Sequence, residues 1–442
     1  MRTIPSPLYK KLKPVQLAAV IFLTVSGGPY GIEPLLFEVG NHAALLLLIL
    51  VPLSWDIPTI FTVLELNSMM PVNGGYYQWV KRALGRRWAL YEGWWTWLYT
   101  FVDLAIYPVL FVEYASFFFP GFEAYKIPVC LCIIWLCAGL NILGIIPVGK
   151  ISLLLTAIVL IPFIILFIFV FSHHHPDHSF FPSMSLRGVG FSHISLGLYY
   201  VMWNFLGWDN TTTYAEEVDK PVRSYLISVA TAFGLIFIIY FITIIAAQSS
   251  GIDYKTLNDE GFPALGKFVG GQWLGVIIAI GGMASTLGLF SAVLLSVSRV
   301  PKVMADDKLL SGKLSKLHPK YNTPYISIIV CSVVVSLLIV WSFKELIIID
   351  VTLYGAALFL EFISLIVLRI KAPDEHRPFK IPLNIAGLIL LLILPLGVYI
   401  VALSGALYDL GILPALFAIG ILFTAEIVWQ IIIWRTREAS SA

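Results

Sequence analysis

A chain of 442 residues that is 59% hydrophobic and only 12% charged is too apolar for a soluble two-domain protein; it reads as a polytopic membrane protein. A net charge of +2 argues against nucleic-acid binding. The four cysteines (Cys130, Cys132, Cys137, Cys331) all fall in apolar runs without metal spacing and read as small hydrophobes.

At about 20 residues per spanning helix, twelve apolar segments can be marked, at roughly 15–39, 43–70, 90–119, 127–146, 151–172, 191–215, 224–249, 272–299, 324–343, 346–368, 383–404 and 411–434. The basic start, "MRTIPSPLYKKLKPVQ", runs into the first segment with no small-residue cleavage site, so that segment is a span and not a removable signal. With the N-terminus in the cytoplasm, 23 of the 28 lysines and arginines fall on the cytoplasmic side and five outside. This bias predicts cytoplasmic N- and C-termini. It also leaves no basic residue for the span interiors.

The first span carries "TVSGGPYGIEP", residues 24–34. Gly27, Gly28 and Gly31 permit backbone angles that a helix denies other residues, and Pro29 removes a donor. Unwound backbone at mid-membrane depth is tolerated only where protein covers it or a cavity faces it. Pro34 suits the first turn of a restarting half-helix, and Glu33 is expected at that half-helix's positive end.

In the third span, Asp103 and Tyr107 are four apart and share a helix face. Trp88, Trp94, Trp95 and Trp97 cluster near its start and read as an interfacial belt. The external loop "HHHPDH" (173–178) could bind a metal, but its place at a helix end without a nearby cysteine favours an ordinary polar loop. The sixth span carries "WNFLGWDNTTT" (203–213), a second run of Gly, Asn, Asp and Thr at mid-depth that predicts another interruption. Two interrupted segments in matching positions of two five-span halves point to a transporter's binding site.

Acidic residues do enter the spans: Glu33, Asp56, Glu65, Asp103, Glu113, Asp209, Glu361 and Glu426, with Asp350 near an end. Each costs about 2.5–3.5 kcal/mol at mid-depth. An acid-only interior suits a protein that moves protons or organic cations. Glu65, Glu113, Glu361 and Glu426 read as protonated packing or helix-end groups, whereas Glu33, Asp103 and Asp209 coincide with the breaks or with mid-depth.

The stretches "VSGGPYGIE", "LNSMMPVNGGYYQWVKRALG", "VDLAIYPVLF", "WNFLGWDNTTTYAEEVDKPVRSY", "SRVPKVMADDKLL" and "LRIKAPDEHRPFKIP" occur in that order over most of residues 15–385. In this the chain resembles the amino acid–polyamine–organocation superfamily, most closely its polyamine–proton symporter branch. The resemblance implies an all-α polytopic fold of twelve transmembrane helices. Two inverted five-helix repeats of the leucine-transporter type, with broken helices 1 and 6, would be followed by two trailing helices. The implied division is a cytoplasmic tail at 1–14, a first repeat at 15–172, a second at 191–370 and trailing helices at 383–434. Carried over, Gly27, Gly28, Tyr30 and Gly31 line the substrate site with unwound backbone, Glu33, Asp103 and Asp209 face the solute, and Tyr107, Trp203, Asn204 and Trp208 line or gate the cavity. "PVNGGYYQW" and "EEVDKPVRS" are expected to shape the cytoplasmic gate.

Some proton-coupled relatives place a lysine in the fifth helix; "ISLLLTAIVLIPFIILFIF" has none. Proton coupling must then run through a carboxylate, Glu33 or Asp209. A sodium-coupled scheme stays open, with Ser285 and Thr286 offering oxygens or simply packing their helix. No cofactor is expected beyond the proton gradient, and no resident metal. A glutamate in the broken first helix would repel a substrate carboxylate, so three acids around one cavity favour a solute bearing ammonium groups, assisted by cation–π contact with Trp203 or Tyr107. The expected function is proton-coupled secondary transport of a polyamine or related amine across the plasma membrane. Cationic or neutral amino acids are the alternative solutes, and a sensor built on a transporter fold is the alternative of another class. No nucleophile motif, cofactor motif or repeated pore segment supports an enzyme or a channel.

Overall fold

In a computed structural model that describes residues 11–119, 121–172, 184–408 and 412–441, the chain is helical throughout, with one isolated backbone bridge between Leu12 and Val218. The "HHHPDH" loop lies outside the described residues. Nine helices among those described are long and apolar enough to cross a membrane, and the protein is an integral membrane protein.

The first half contains α1 (Pro14–Val25), α2 (Pro34–Val51), α3 (Ile57–Met69), α4 (Gly75–Leu84), α5 (Arg86–Ser116), α6 (Lys126–Ile142) and α7 (Ile145–Ser172). Then come α8 (Phe191–Trp203), α9 (Pro221–Ser250), α10 (Tyr254–Gly270), α11 (Gln272–Val297), α12 (Arg299–Asp306), α13 (Tyr325–Leu338), α14 (Phe343–Lys371), α15 (Ile385–Tyr408), α16 (Ile412–Leu422) and α17 (Thr424–Ser441). Gly40, at φ 70° and ψ −178°, makes a corner inside α2. A π-turn, Pro52–Asp56, joins α2 to α3.

Three of these helices, α4, α10 and α12, lie outside the twelve apolar segments marked in the sequence. α4 carries Lys81 and Arg82 in its last turn and is too polar to span. α10 bends at Gly261 (φ 70°), and the final segment divides into α16 and α17. The sixth segment also differs from a simple interrupted helix. After α8 ends at Trp203, the chain returns only as a 3₁₀ turn, Asn210–Glu217, and α9 begins the next element.

Burial sorts the helices into an inner and an outer set. Of each helix's most apolar window, 83% is buried in α5 and 72% in α14, against 28% in α7 and 11% across residues 413–435. α5 packs on α14 and α11, and α1 packs on α9, α7 and α11. Lipid replaces water around the outer set, so helix contact depends on close approach by small residues. Gly282 faces the Tyr114 ring and Gly288 faces Leu23 at distances where a side chain would collide.

Arginines from the basic connections reach inward, contrary to an acid-only interior. Arg369 and Arg377 close on the buried Glu65 carboxylate at 2.5 and 3.3 Å. Arg299 pairs with Glu217 at 2.8 Å, while Arg87 and Glu426 pair at 2.7 Å at the surface. Glu65 and Glu426 are therefore each paired with arginine, Glu426 in the first turn of its helix as a helix-end group. The expected tryptophan belt is also drawn in. Trp94 donates to Thr424 Oγ1, Trp95 to the Leu422 carbonyl and Trp97 to Cys331 Sγ, leaving Trp88 exposed.

Candidate functional site

Residues 26–33, between α1 and α2, are not helical, and neither are residues 204–209 after α8. Gly27 (φ 63°), Gly28 (φ 97°) and Gly31 (φ 85°) occupy the left-handed region, as does Gly207 (φ 93°) in the second stretch. Both stretches are buried among protein side chains. One residue ties them together. The Tyr240 hydroxyl on α9 lies 2.8 Å from the Gly28 carbonyl and 2.7 Å from Asn204 Oδ1, and accepts from Ser26 Oγ at 3.0 Å. Asn204 Nδ2 in turn donates to the Tyr200 carbonyl at 2.8 Å and reaches the Gly31 carbonyl at 3.5 Å.

A narrow cleft opens between these stretches, the middle of α5 and the N-terminal third of α14. It is lined by Ser26, Tyr99, Asp103, Tyr107, Trp203, Asn204 and Asp350, among others, and has room for about one water. Tyr107 donates to Asp103 Oδ1 at 2.6 Å, and Trp203 Nε1 points at the same oxygen from 3.4 Å. Asp350 is buried, and its Oδ1 has no hydrogen-bond partner among the described residues. Among the described residues no lysine or arginine lines the cleft. An unpartnered carboxyl oxygen beside a second carboxyl, with two aromatic faces, has the chemistry to accept a cation or a proton.

The other acids expected around one cavity are distributed instead. Glu33 makes no cap hydrogen bond to α2 and instead accepts from the Tyr114 hydroxyl at 3.0 Å and the Phe262 backbone N–H at 3.5 Å. It lines a separate vestibule with Glu38, Glu113, Glu123, Asp259 and Glu260, where Lys344 is the one basic residue among those described. Asp209 lies on the other side of the cleft, accepting from the Tyr354 hydroxyl at 2.8 Å. Tyr30 turns away from the cleft, donating to the Ile278 carbonyl at 2.7 Å and packing on Tyr114 and Phe163. Trp208 also lies outside it, donating to Asp56 Oδ1 at 3.2 Å and packing on Phe233. Gly31 backs directly onto the Trp203 ring, and Gly27 onto Ser285 and Leu289.

At the basic end of the molecule the two stretches expected to form a gate meet. The Gly74 N–H donates to the Thr213 carbonyl at 2.8 Å, and Asn73 Nδ2 to Glu216 at 3.1 Å. Leu12 straps across them, exchanging backbone hydrogen bonds of 3.0 Å with Glu217 and Asp219. A recess lined by Lys11, Glu217, Arg299 and Lys302 lies there. Among the described residues no group of three or more His, Cys, Asp or Glu side chains is arranged to hold a metal ion.

Sequence reasoning missed Asp350, Glu92, Tyr240 and Tyr354. Asp350 reads from the sequence as lying near a span end, and Glu92, two residues into the third apolar segment, carries no sign that singles it out. Tyr240 had a signal: it is the polar hydroxyl in the aliphatic run "LIFIIYFITII".

The family model for amino acid permease matches residues 12–424. The chain belongs to the amino acid permease family. As a permease it is a membrane transporter and not an enzyme. It is 32% identical to a polyamine transporter, RMV1, of Arabidopsis thaliana, across 87% of this chain and 79% of that one. It is 31% identical to the polyamine transporter PUT1 of Oryza sativa subsp. japonica, over 88% of this chain and 73% of its relative. A branched-chain amino acid permease, BcaP, of Bacillus subtilis is 26% identical over 72% of each chain.

Proposed function

We propose that this permease carries a small organic cation, a polyamine or related amine, by proton-coupled alternating access. The carrying observation is the pair Asp103 and Asp350, two carboxyls in one cleft without a lysine or arginine beside them. A carboxylate pair is complementary to ammonium groups, and Tyr107 and Trp203 offer ring faces to the same cation. The acidic vestibule supports the reading, because focused negative potential raises the local concentration of a cation at the mouth. So do the polyamine transporters among the relatives.

In this reading α1 and α2 begin with one broken span, α8 and the 3₁₀ turn form the other, and twelve spans make two inverted five-helix repeats over 15–172 and 191–370, with trailing helices at 383–434. The basic end faces the cytoplasm and the vestibule faces outward, in the plasma membrane. The closed cleft lies between the vestibule and the basic recess, so exchange of solute between the two sides needs the walls to open alternately.

The test is uptake of labelled putrescine, spermidine and a panel of amino acids by purified protein in liposomes, with and without an inward acid gradient. Amine uptake driven by the gradient is expected. Uptake of arginine or a branched-chain amino acid, with amines neither entering nor competing, would show an amino acid carrier in its place.

A further inference from the structure

Toward the basic end, a second group of carboxyls lies on the two helices that flank the cleft. α5 presents Glu92, Thr96, Tyr99, Asp103 and Tyr107 at spacings of three or four, which is one helix face. α14 presents Asp350, Tyr354 and Glu361 in the same way. The pairing runs antiparallel. Asp103 and Asp350 share the cleft, the Tyr99 and Tyr354 rings meet edge-on at 5.1 Å, and Glu92 approaches Glu361. Each helix thus carries an acid at both ends of an eleven-residue step, about 16 Å.

Asp209 completes the lower group, bonded to the Tyr354 hydroxyl at 2.8 Å and within hydrogen-bonding reach of the Glu361 carboxyl. Two neighbouring carboxyls with no cation between them are most stable when one carries a proton, because ionised carboxylates only accept and repel each other. The relative exposures of Asp209, Glu92 and Glu361 are 2%, 0% and 1%. None of the three pairs with a lysine or arginine among the described residues. The ionisable groups facing them are Tyr76 from α4, Tyr99 from α5 and Tyr354 from α14. The polar inventory is also incomplete. Glu92 Oε2 and Glu361 Oε2 are buried without partners, and the Tyr76 hydroxyl faces all three carboxyls and Thr96 without a hydrogen bond of ordinary geometry. Unsatisfied acceptors with no metal or base in reach are filled at least cost by protons.

We propose that Asp209, Glu361 and Glu92 form the proton-holding site of the transport cycle, separated from the solute by the Tyr99–Tyr354 contact. This rests on the proton-coupled reading above and adds to it where the proton sits. A proton from water bonds to a carboxylate oxygen of this group during loading, and the same O–H bond breaks to water at the basic end on release. Glu92 is six residues from the start of α5 at Arg86, about 9 Å along the axis, so the exit is short. The solute's charge is met at Asp103 and Asp350, one helix-face step away.

Wild-type protein, Glu361→Gln and Glu92→Gln in liposomes decide it, with labelled putrescine and a trapped pH dye. One proton per solute and a one-unit gradient support about tenfold accumulation, the equivalent of about 1.4 kcal/mol. In Glu361→Gln, accumulation should fall to the level without a gradient, and putrescine-induced proton entry should vanish. Counterflow of labelled against unlabelled putrescine, which needs no net proton movement, should stay within about twofold. Glu92→Gln should weaken coupling in the same direction. If both variants accumulate putrescine like wild type, the site is elsewhere and only the placement fails. If both lose counterflow as well, the group is structural and the proposal is overturned. A wild-type protein that exchanges putrescine but ignores the acid gradient, or follows a sodium gradient instead, overturns proton coupling itself.

Discussion

Asp103→Asn isolates the charge that the proposed receptor depends on. Asparagine keeps the size of the side chain, and its Oδ1 can still accept from Tyr107, which sits 2.6 Å from Asp103 Oδ1. What is lost is the negative charge facing Trp203 and Asp350 across the cleft. Unit charges 4 Å apart attract by about 4 kcal/mol at an effective dielectric near 20. Dehydrating the ammonium offsets part of that. Hydrogen bonds to charged groups retain about 1.5–3 kcal/mol, which is a roughly 10- to 150-fold rise in the dissociation constant. Equilibrium binding of labelled putrescine to purified protein measures it, with a melting curve to confirm folding. Asp350→Asn should fall in the same range, and the preference for putrescine over butylamine should shrink in both. A dissociation constant within threefold of wild type in both variants, on well-folded protein, would refute the carboxylate-pair receptor.

Gly31→Ala forces a side chain into φ 85° with a Cβ that would lie 2.6 Å from the Trp203 ring. Strain of about 1–3 kcal/mol and a displaced Trp203 should cut putrescine binding tenfold or more. Gly85→Ala meets φ 93° in open space, so it should leave binding unchanged in the same assay and separate collision from backbone strain. Glu65→Gln leaves Arg369 and Arg377 without their buried counterion, at a cost of about 3–5 kcal/mol. It should lower the melting temperature clearly while holding the putrescine dissociation constant within twofold, because Glu65 does not line the cleft.

Local chemistry explains which features could be read in advance. The three glycines and the proline of "GGPYG" together weigh heavily against a regular helix, so a break within 26–33 is legible from residue type. The Asp103–Tyr107 contact follows from a four-residue spacing on one helix. Asp350 and Glu361 carry no such local sign. Their approach to Asp103 and Asp209 depends on how α14 lies against α5, a tertiary fact that hydropathy cannot encode. Tyr30 and Trp208 neighbour the right residues in sequence but point to the opposite side of their turns. The Glu65 partners failed for another reason. Counting Arg369 and Arg377 outside the spans was sound for their backbone, yet long side chains fold back across a boundary drawn by sequence.

The hydroxyl of Tyr240 touches both discontinuities at once. A phenol has one proton to give, so the Gly28 carbonyl and Asn204 Oδ1 compete for it, and any separation of the two stretches takes the hydroxyl away from one of them. The cleft wall therefore hangs on one side chain of α9, and removing that hydroxyl alone would unfasten the two stretches from each other.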